Sequence, residues 1–196
     1  MPRMCVARDQ LMSVAEKLVH QRGFRATSVN DVLAEAGVTK GALYHYFPGK
    51  DDLEMAVLER AGAAFLKCLD EVLAGPSPRE CLEHFFASAL KHHRKERFVG
   101  GCLFGNTALE MSDTNRRHAV YVEGIFDQWT NKIEAVTRAG QSAGQIRNDI
   151  GARDLAQTVV ATIEGGIMLS RLGKNERPLR TCLESLRTFL WTRRMS

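Results

Sequence analysis

The chain has 196 residues, 44% of them hydrophobic and 26% charged, with a net charge of +4; this is ordinary globular composition, enough to bury a core as one large domain or two small ones. No apolar run approaches the roughly 20 residues needed to cross a bilayer, and the opening MPRMCVARDQ lacks the apolar centre of a signal peptide, so the expected setting is the cytoplasm. Five dispersed cysteines, Cys5, Cys68, Cys81, Cys102 and Cys182, show no CxxC spacing, which argues against a disulfide framework or a zinc site and for reduced thiols.

From the N-terminus, Leu11, Val14, Ala15, Leu18 and Val19 recur at the spacing of one apolar helix face, and Gly23 stops that helix. A second helix is predicted in ATSVNDVLAEAG, capped by Thr27 or Ser28, with Asp31 in its first turn and Gly37 at its end. Its inner face is Val29, Val32, Leu33 and Ala36. A third begins at the cap Thr39, turns Leu43, Tyr46 and Phe47 inward, and closes at Pro48-Gly49. The tight Gly-containing turn between the second and third is that of a helix-turn-helix. Longer helices are predicted over about 50–73, 79–94 and 102–111, then through Val122, Ile125, Phe126, Trp129, Ile133 and Val136, and finally over about 153–172 and 177–194. Strand signals are scarce and there is no internal repeat, so the predicted class is all-α.

The third helix leaves Lys40, Gly41, Tyr44 and His45 facing out. Glycine inside a helix costs about 1 kcal/mol against alanine; its benefit here is close approach to a duplex. Thr27, Ser28 and Thr39 stand at helix N-termini, where hydroxyl, backbone N–H and dipole all favour a phosphate, and Lys50 adds a point charge. Residues 1–50 carry seven Lys/Arg against four Asp/Glu, and the remainder 20 against 19, so the positive surplus sits in the first quarter. The competing reading is a solvated three-helix corner with capped ends.

The stretch GFRATSVNDVLAEAGVTKGALYHYFPGKDDL, residues 23–53, closely resembles the DNA-binding domain of the TetR family of bacterial transcriptional regulators. The likeness lies in GFRATSV, in AGVTKGALYHYF and in the closing KDDL. The resemblance implies an all-α dimeric chain of about nine helices, with a helix-turn-helix DNA-binding domain at 1–50 and a ligand-binding and dimerisation domain at 51–196. It implies that Thr27, Ser28, Tyr44, Tyr46 and Lys50 mainly meet phosphates, and that Lys40, Gly41, Tyr44 and His45 lie nearest the bases. The tyrosines would give hydroxyls to phosphate and apolar contact to thymine methyls.

In the C-terminal part, Leu155, Val159, Thr162, Ile163 and Gly166 lie on one face, as do Leu179, Cys182, Leu183, Leu186, Phe189 and Leu190. Gly165-Gly166 inside a helix is costly and points to close helix–helix approach. In TetR-like proteins these two helices pair with their copies in a four-helix dimer interface; a single-chain core is the alternative. A dimer also suits DNA, since recognition helices about 34 Å apart read a pseudo-palindrome. GGCLFGNTALEMSD, residues 100–113, resembles a TetR branch in which some members respond to electrophiles through the cysteine. Cys102 is placed in the first turn of a helix, where the dipole lowers a thiol pKa, with Asn106 and Glu110 following on the same stripe. Alternatively it is a small buried hydrophobe.

Phe65, Phe85, Phe86, Phe104, Phe126 and Trp129 line a cavity or make plain core, and the candidate effector contacts are Cys102, Asn106, Glu110, Phe86, Phe126 and Trp129. Glu164 is a ligand partner or, more in keeping with its charge, a solvated or interface residue. KHHRKER, residues 91–97, reads as a solvated helix end, and adjacent His92 and His93 make a poor metal pair. No metal or cofactor is expected. The expected function is a ligand-responsive DNA-binding regulator, a repressor released from its double-stranded operator by a small molecule. The alternatives are a ligand-insensitive DNA-binding protein, which leaves the large C-terminal region unexplained, and an enzyme using Cys102, which lacks a placed base; catalysis is therefore not expected.

Overall fold

The computed structural model describes residues 2–191, with side chains from residue 8 onward; the Cys5 side chain and the predicted helical residues 192–194 lie outside the described residues. The described chain forms nine α-helices: α1 (Pro2–Arg22), α2 (Val29–Ala36), α3 (Lys40–Tyr46), α4 (Lys50–Val72), α5 (Pro78–Lys95), α6 (Leu103–Met111), α7 (Arg116–Ser142), α8 (Ala152–Gly173) and α9 (Arg177–Leu190). The all-α class is borne out. Extended backbone pairs only at an isolated antiparallel bridge between Ile146 and Trp191 among the described residues. Among them, too, no helix is long and apolar enough to cross a membrane. The chain packs as two units, Met1–Phe65 with Asn106–Val122, and Leu66–Gly105 with Glu123–Ser196. Helices α4, α6 and α7 contribute residues to both.

In the first unit, Leu11, Ala15 and Leu18 of α1, joined by Met12, bury against Val32 and Ala36 of α2, Leu43 and Phe47 around α3, and Leu53 and Val57 of α4. The element ends follow from local chemistry. The Gly23 backbone is left-handed, with φ +88°, and its N–H donates to the Val19 carbonyl at 2.8 Å. Ser28 caps α2 through a reciprocal box: the Asp31 N–H donates to Ser28 Oγ at 3.1 Å and the Ser28 N–H to Asp31 Oδ2 at 2.8 Å. The same bonds to Ser28 hold the Asp31 carboxyl below its ordinary range. Gly37, at φ 63°, closes α2. Thr39 caps α3 by accepting the Ala42 N–H at 3.3 Å, and the extended backbone of Phe47 ends it before Pro48.

In the second unit α8 and α9 form the largest packed pair. Leu155, Val159, Ile163 and Ile167 are buried on α8, and Leu179, Leu183, Leu186 and Leu190 on α9. A Cβ added at Gly166 would stand 3.1 Å from both Cys182 Cβ and Leu179 Cδ1, so this glycine has a cause within the chain. At Gly165 nothing lies within 4 Å. The end of α5 is exposed over residues 91–97 except at His93, which is buried. Arg97 and Phe98 take left-handed φ of 52° and 56°, which turn the Phe98 N–H back onto the His93 carbonyl at 2.8 Å.

Candidate nucleic-acid interface and effector site

Helix α3 spans seven residues, too few to hold itself together in water, so its position rests on its neighbours. Leu43 is fully buried, Phe47 buried and Tyr46 half-buried, and these three anchor it. Lys40, Gly41, Tyr44 and His45 are all exposed, as their spacing predicts. The Lys40 ammonium stands 5.8 Å over the Tyr44 ring, and the His45 and Tyr46 rings meet edge-on at 5.1 Å. A Cβ at Gly41 would touch nothing within 4 Å, so no packing inside the chain requires glycine there. The exposed face is cationic and aromatic, with open space above Gly41.

The flanking candidates are placed differently from one another. Ser28 and Thr39 are exposed at the N-termini of α2 and α3, with the Ser28 hydroxyl donating to Asp31 Oδ2 at 2.6 Å. Thr27 is buried and its hydroxyl donates to the Gly23 carbonyl at 2.7 Å; it braces the turn between α1 and α2, and its hydroxyl is not offered outward. Lys50 is half-exposed and tethered: Nζ donates to the Phe24 carbonyl at 3.0 Å and pairs with Glu54 Oε1 at 3.3 Å. Its charge is shared with the fold rather than standing free.

The expected stripe of Cys102, Asn106 and Glu110 is divided. Asn106 and Glu110 belong to the first unit and Cys102 to the second. The Glu110 carboxylate accepts the backbone N–H of Phe24 at 3.0 Å and of Arg25 at 2.6 Å. It thereby caps the turn after α1, and a Cβ on Gly23 would come within 2.7 Å of its Oε2. Glu110 is thus a brace of the helix-turn-helix, a role that sequence spacing over 85 residues gives no sign of.

Cys102 lies just before α6, where Sγ accepts the Gly105 N–H at 3.4 Å. Across from it stands Glu164 of α8, in the space a Gly105 side chain would fill and hydrogen-bonded to the thiol. Glu164 Oε1 is buried without a hydrogen-bond partner. Burial raises the Cys102 thiol well above its ordinary range, the Glu164 charge adds to this, and the N–H groups of Gly105 and Phe104 oppose it less. Of the two readings of Cys102, this opposes the acidified thiol and favours the small buried side chain: desolvation outweighs the helix end. Burial likewise lifts Glu164 to about 7, against the bond from Cys102. Of the expectations for Glu164 (ligand partner, solvated or interface residue), burial opposes the solvated one, and the apolar run around position 164 is the sequence signal against it. The aromatic candidates pack on one another, Phe126 stacked on Trp129 at 5.9 Å and Phe85 edge-on to Trp129 at 6.1 Å. Phe86 is fully buried beneath the Arg187 guanidinium.

Comparison with known proteins matches both parts of the chain. Residues 11–57 match the family described as bacterial regulatory proteins, tetR family, and residues 78–186 match the tetracyclin repressor-like C-terminal domain. The chain is 32% identical over 191 residues to the HTH-type transcriptional repressor NemR of Escherichia coli, covering 94% of each. It is 28% identical over 175 residues to the HTH-type transcriptional repressor DhaR of Mycobacterium sp. strain GP1, covering 88% of this chain and 86% of that one. A solved TetR transcriptional regulator from Chloroflexus aurantiacus matches with a TM-score of 0.89 at 27% identity, over 98% of this chain and 100% of the other.

Proposed function

We infer, from the premise that this chain belongs to the TetR family of bacterial transcriptional regulators, that its working parts are the exposed face of α3 and the Cys102–Glu164 pair. The chain is a DNA-binding, ligand-responsive transcriptional regulator of the repressor type. The observation that carries the assignment of parts is the pinned seven-residue α3, with Lys40, Gly41, Tyr44 and His45 all turned outward. Helix-turn-helix proteins read base edges with such a face, while phosphate contacts fix register. Lys40, Gly41, Tyr44 and His45 approach the bases. Ser28, Thr39, Tyr46 and Lys50 meet phosphates, and Thr27 acts through the turn it braces. On this reading residues 1–50 are the DNA-binding domain and 51–196 the effector and dimerisation domain, working in the cytoplasm as a homodimer on a pseudo-palindromic operator.

The dimer face is α8. Ala161, Gly165, Met168, Leu169 and Leu172 are spaced along one side of it, and Met168, Leu169 and Leu172 are exposed large hydrophobics. A second copy covers them, and the open space above Gly165 admits its backbone. The effector is sensed at Cys102 and Glu164. An α,β-unsaturated carbonyl electrophile adds to Sγ: the S–C bond forms as the C=C π bond breaks, the thiol proton passes to the Glu164 carboxylate, which compensates for a thiol that is a poor acid, and the resulting enolate carbon takes up a proton. Effector binding favours a state whose recognition helices no longer fit successive major grooves.

The test is fluorescence anisotropy on DNA from the promoter beside the chain's own gene. Tyr44→Ala weakens binding about tenfold or more, in line with a lost contact of about 1–3 kcal/mol, with the oligomer unchanged; undiminished affinity would refute the α3 assignment. N-ethylmaleimide releases the wild type and not Cys102→Ser. Release of both would move the sensor elsewhere and leave Cys102 as packing.

A further inference from the structure

The first turns of α4 and α7 bring together three side chains that the DNA-binding reading does not use. His118 is fully buried and Glu54 is 7% exposed. His118 Nδ1 lies 3.5 Å from Asp51 Oδ1, and His118 Nε2 lies 3.5 Å from Glu54 Oε2. Neither ring nitrogen has a hydrogen-bond partner. One ligand atom each from Asp51, Glu54 and His118 fall within 4.8 Å of one another. A buried imidazole with both nitrogens unbonded is costly, and here it is aimed at two carboxylates.

We propose that Asp51, Glu54 and His118 bind a divalent first-row transition-metal ion of the zinc type, through one imidazole nitrogen and two carboxylates. The donor set selects the class. Magnesium and calcium take oxygen ligands, soft copper(I) takes sulfur, and one imidazole with two carboxylates suits zinc and its neighbours. Ligand atoms about 2.0–2.2 Å from zinc stand about 3.4 Å apart around a tetrahedron, and the His118–Glu54 separation matches that spacing.

The neighbouring cations hold the outward oxygens. Arg117 pairs with Asp51 Oδ2 at 2.9 Å, and Lys50 with Glu54 Oε1 at 3.3 Å, so each cation holds the oxygen that does not face the ring. Asn115 steadies the group from behind. Its Nδ2 donates to Asp51 Oδ1 at 2.6 Å, and its Oδ1 accepts the His118 backbone N–H at 3.2 Å. The Phe24 ring meets the His118 ring edge-on at 5.3 Å and shields it from water. The ion ties the first turn of α4, directly after the recognition helix, to the first turn of α7.

The test uses the full-length protein, stripped with a chelator and titrated with zinc chloride by calorimetry and with cobalt(II) by absorption. One ion binds per chain, with the visible bands of nitrogen and oxygen ligation and no thiolate charge-transfer band. Glu54→Gln and Asp51→Asn, which keep side-chain shape, each weaken binding at least tenfold, as does His118→Phe if circular dichroism shows it folded; Cys102→Ser leaves binding unchanged. No saturable binding by the wild type, a thiolate band, or undiminished affinity in both amide variants would each overturn the site.

Discussion

Glu164 shows how one residue's surroundings decide its chemistry. Its ordinary value of 4.5 is raised to about 7 by burial, so the folded protein keeps a proton there that the unfolded chain gives up near 4.5. The stability this proton confers is full below pH 4.5 and is lost as pH rises toward 7. At about 1.4 kcal/mol per unit, the wild type should lose up to roughly 3 kcal/mol between pH 5 and pH 8 that Glu164→Gln does not lose. Urea unfolding of both proteins at the two pH values checks it; parallel curves would mean that Glu164 is solvated. Cys102 and Glu164 stand 62 positions apart in sequence, and nothing in either local segment links them. Position at a helix end therefore does not by itself decide the acidity of the thiol.

At the scale of elements, the local rules were sufficient. The capping box at Ser28, the left-handed Gly23 and Gly37, and the Thr39 cap all act within four residues, so the sequence displays them directly. The two glycines of α8 look alike in sequence and differ in the fold. A Cβ on Gly166 would stand 3.1 Å from Cys182 and Leu179, while one on Gly165 would meet nothing within 4 Å. Gly166→Val should therefore overpack the α8–α9 pair and cost about 1–3 kcal/mol. Gly165→Ala should leave the isolated chain's packing undisturbed. Thermal melts of the two variants, made in the monomeric Leu169→Lys/Leu172→Lys background, separate them; equal effects there would mean that propensity, not packing, governs both positions.

For the whole molecule, the exposed apolar side of α8 matters most. Met168, Leu169 and Leu172 on a helix whose opposite side is buried against α9 form a patch of the sort that marks an interface. Leu169→Lys combined with Leu172→Lys should shift the protein to monomer in sedimentation, because a charge desolvated at the interface has no partner. DNA affinity should fall with it, since a monomer reads only one half-site. A dimer that persists in this double variant would place the interface on another face.

By itself the sequence determined the all-α class, the helix ends and the outward face of α3. Those depend on backbone conformation, side-chain periodicity and caps, and each is written within a few consecutive residues. Only the tertiary structure decided which of these residues act outward and which brace the fold. Thr27 and Glu110 turned from candidate contacts into supports of one turn, and Glu164 came to stand against Cys102. Asp51, Glu54 and His118 met around one buried ring. The physical reason is common to all of them: burial and hydrogen bonding between residues distant along the chain set charge and availability, and no local pattern carries that information.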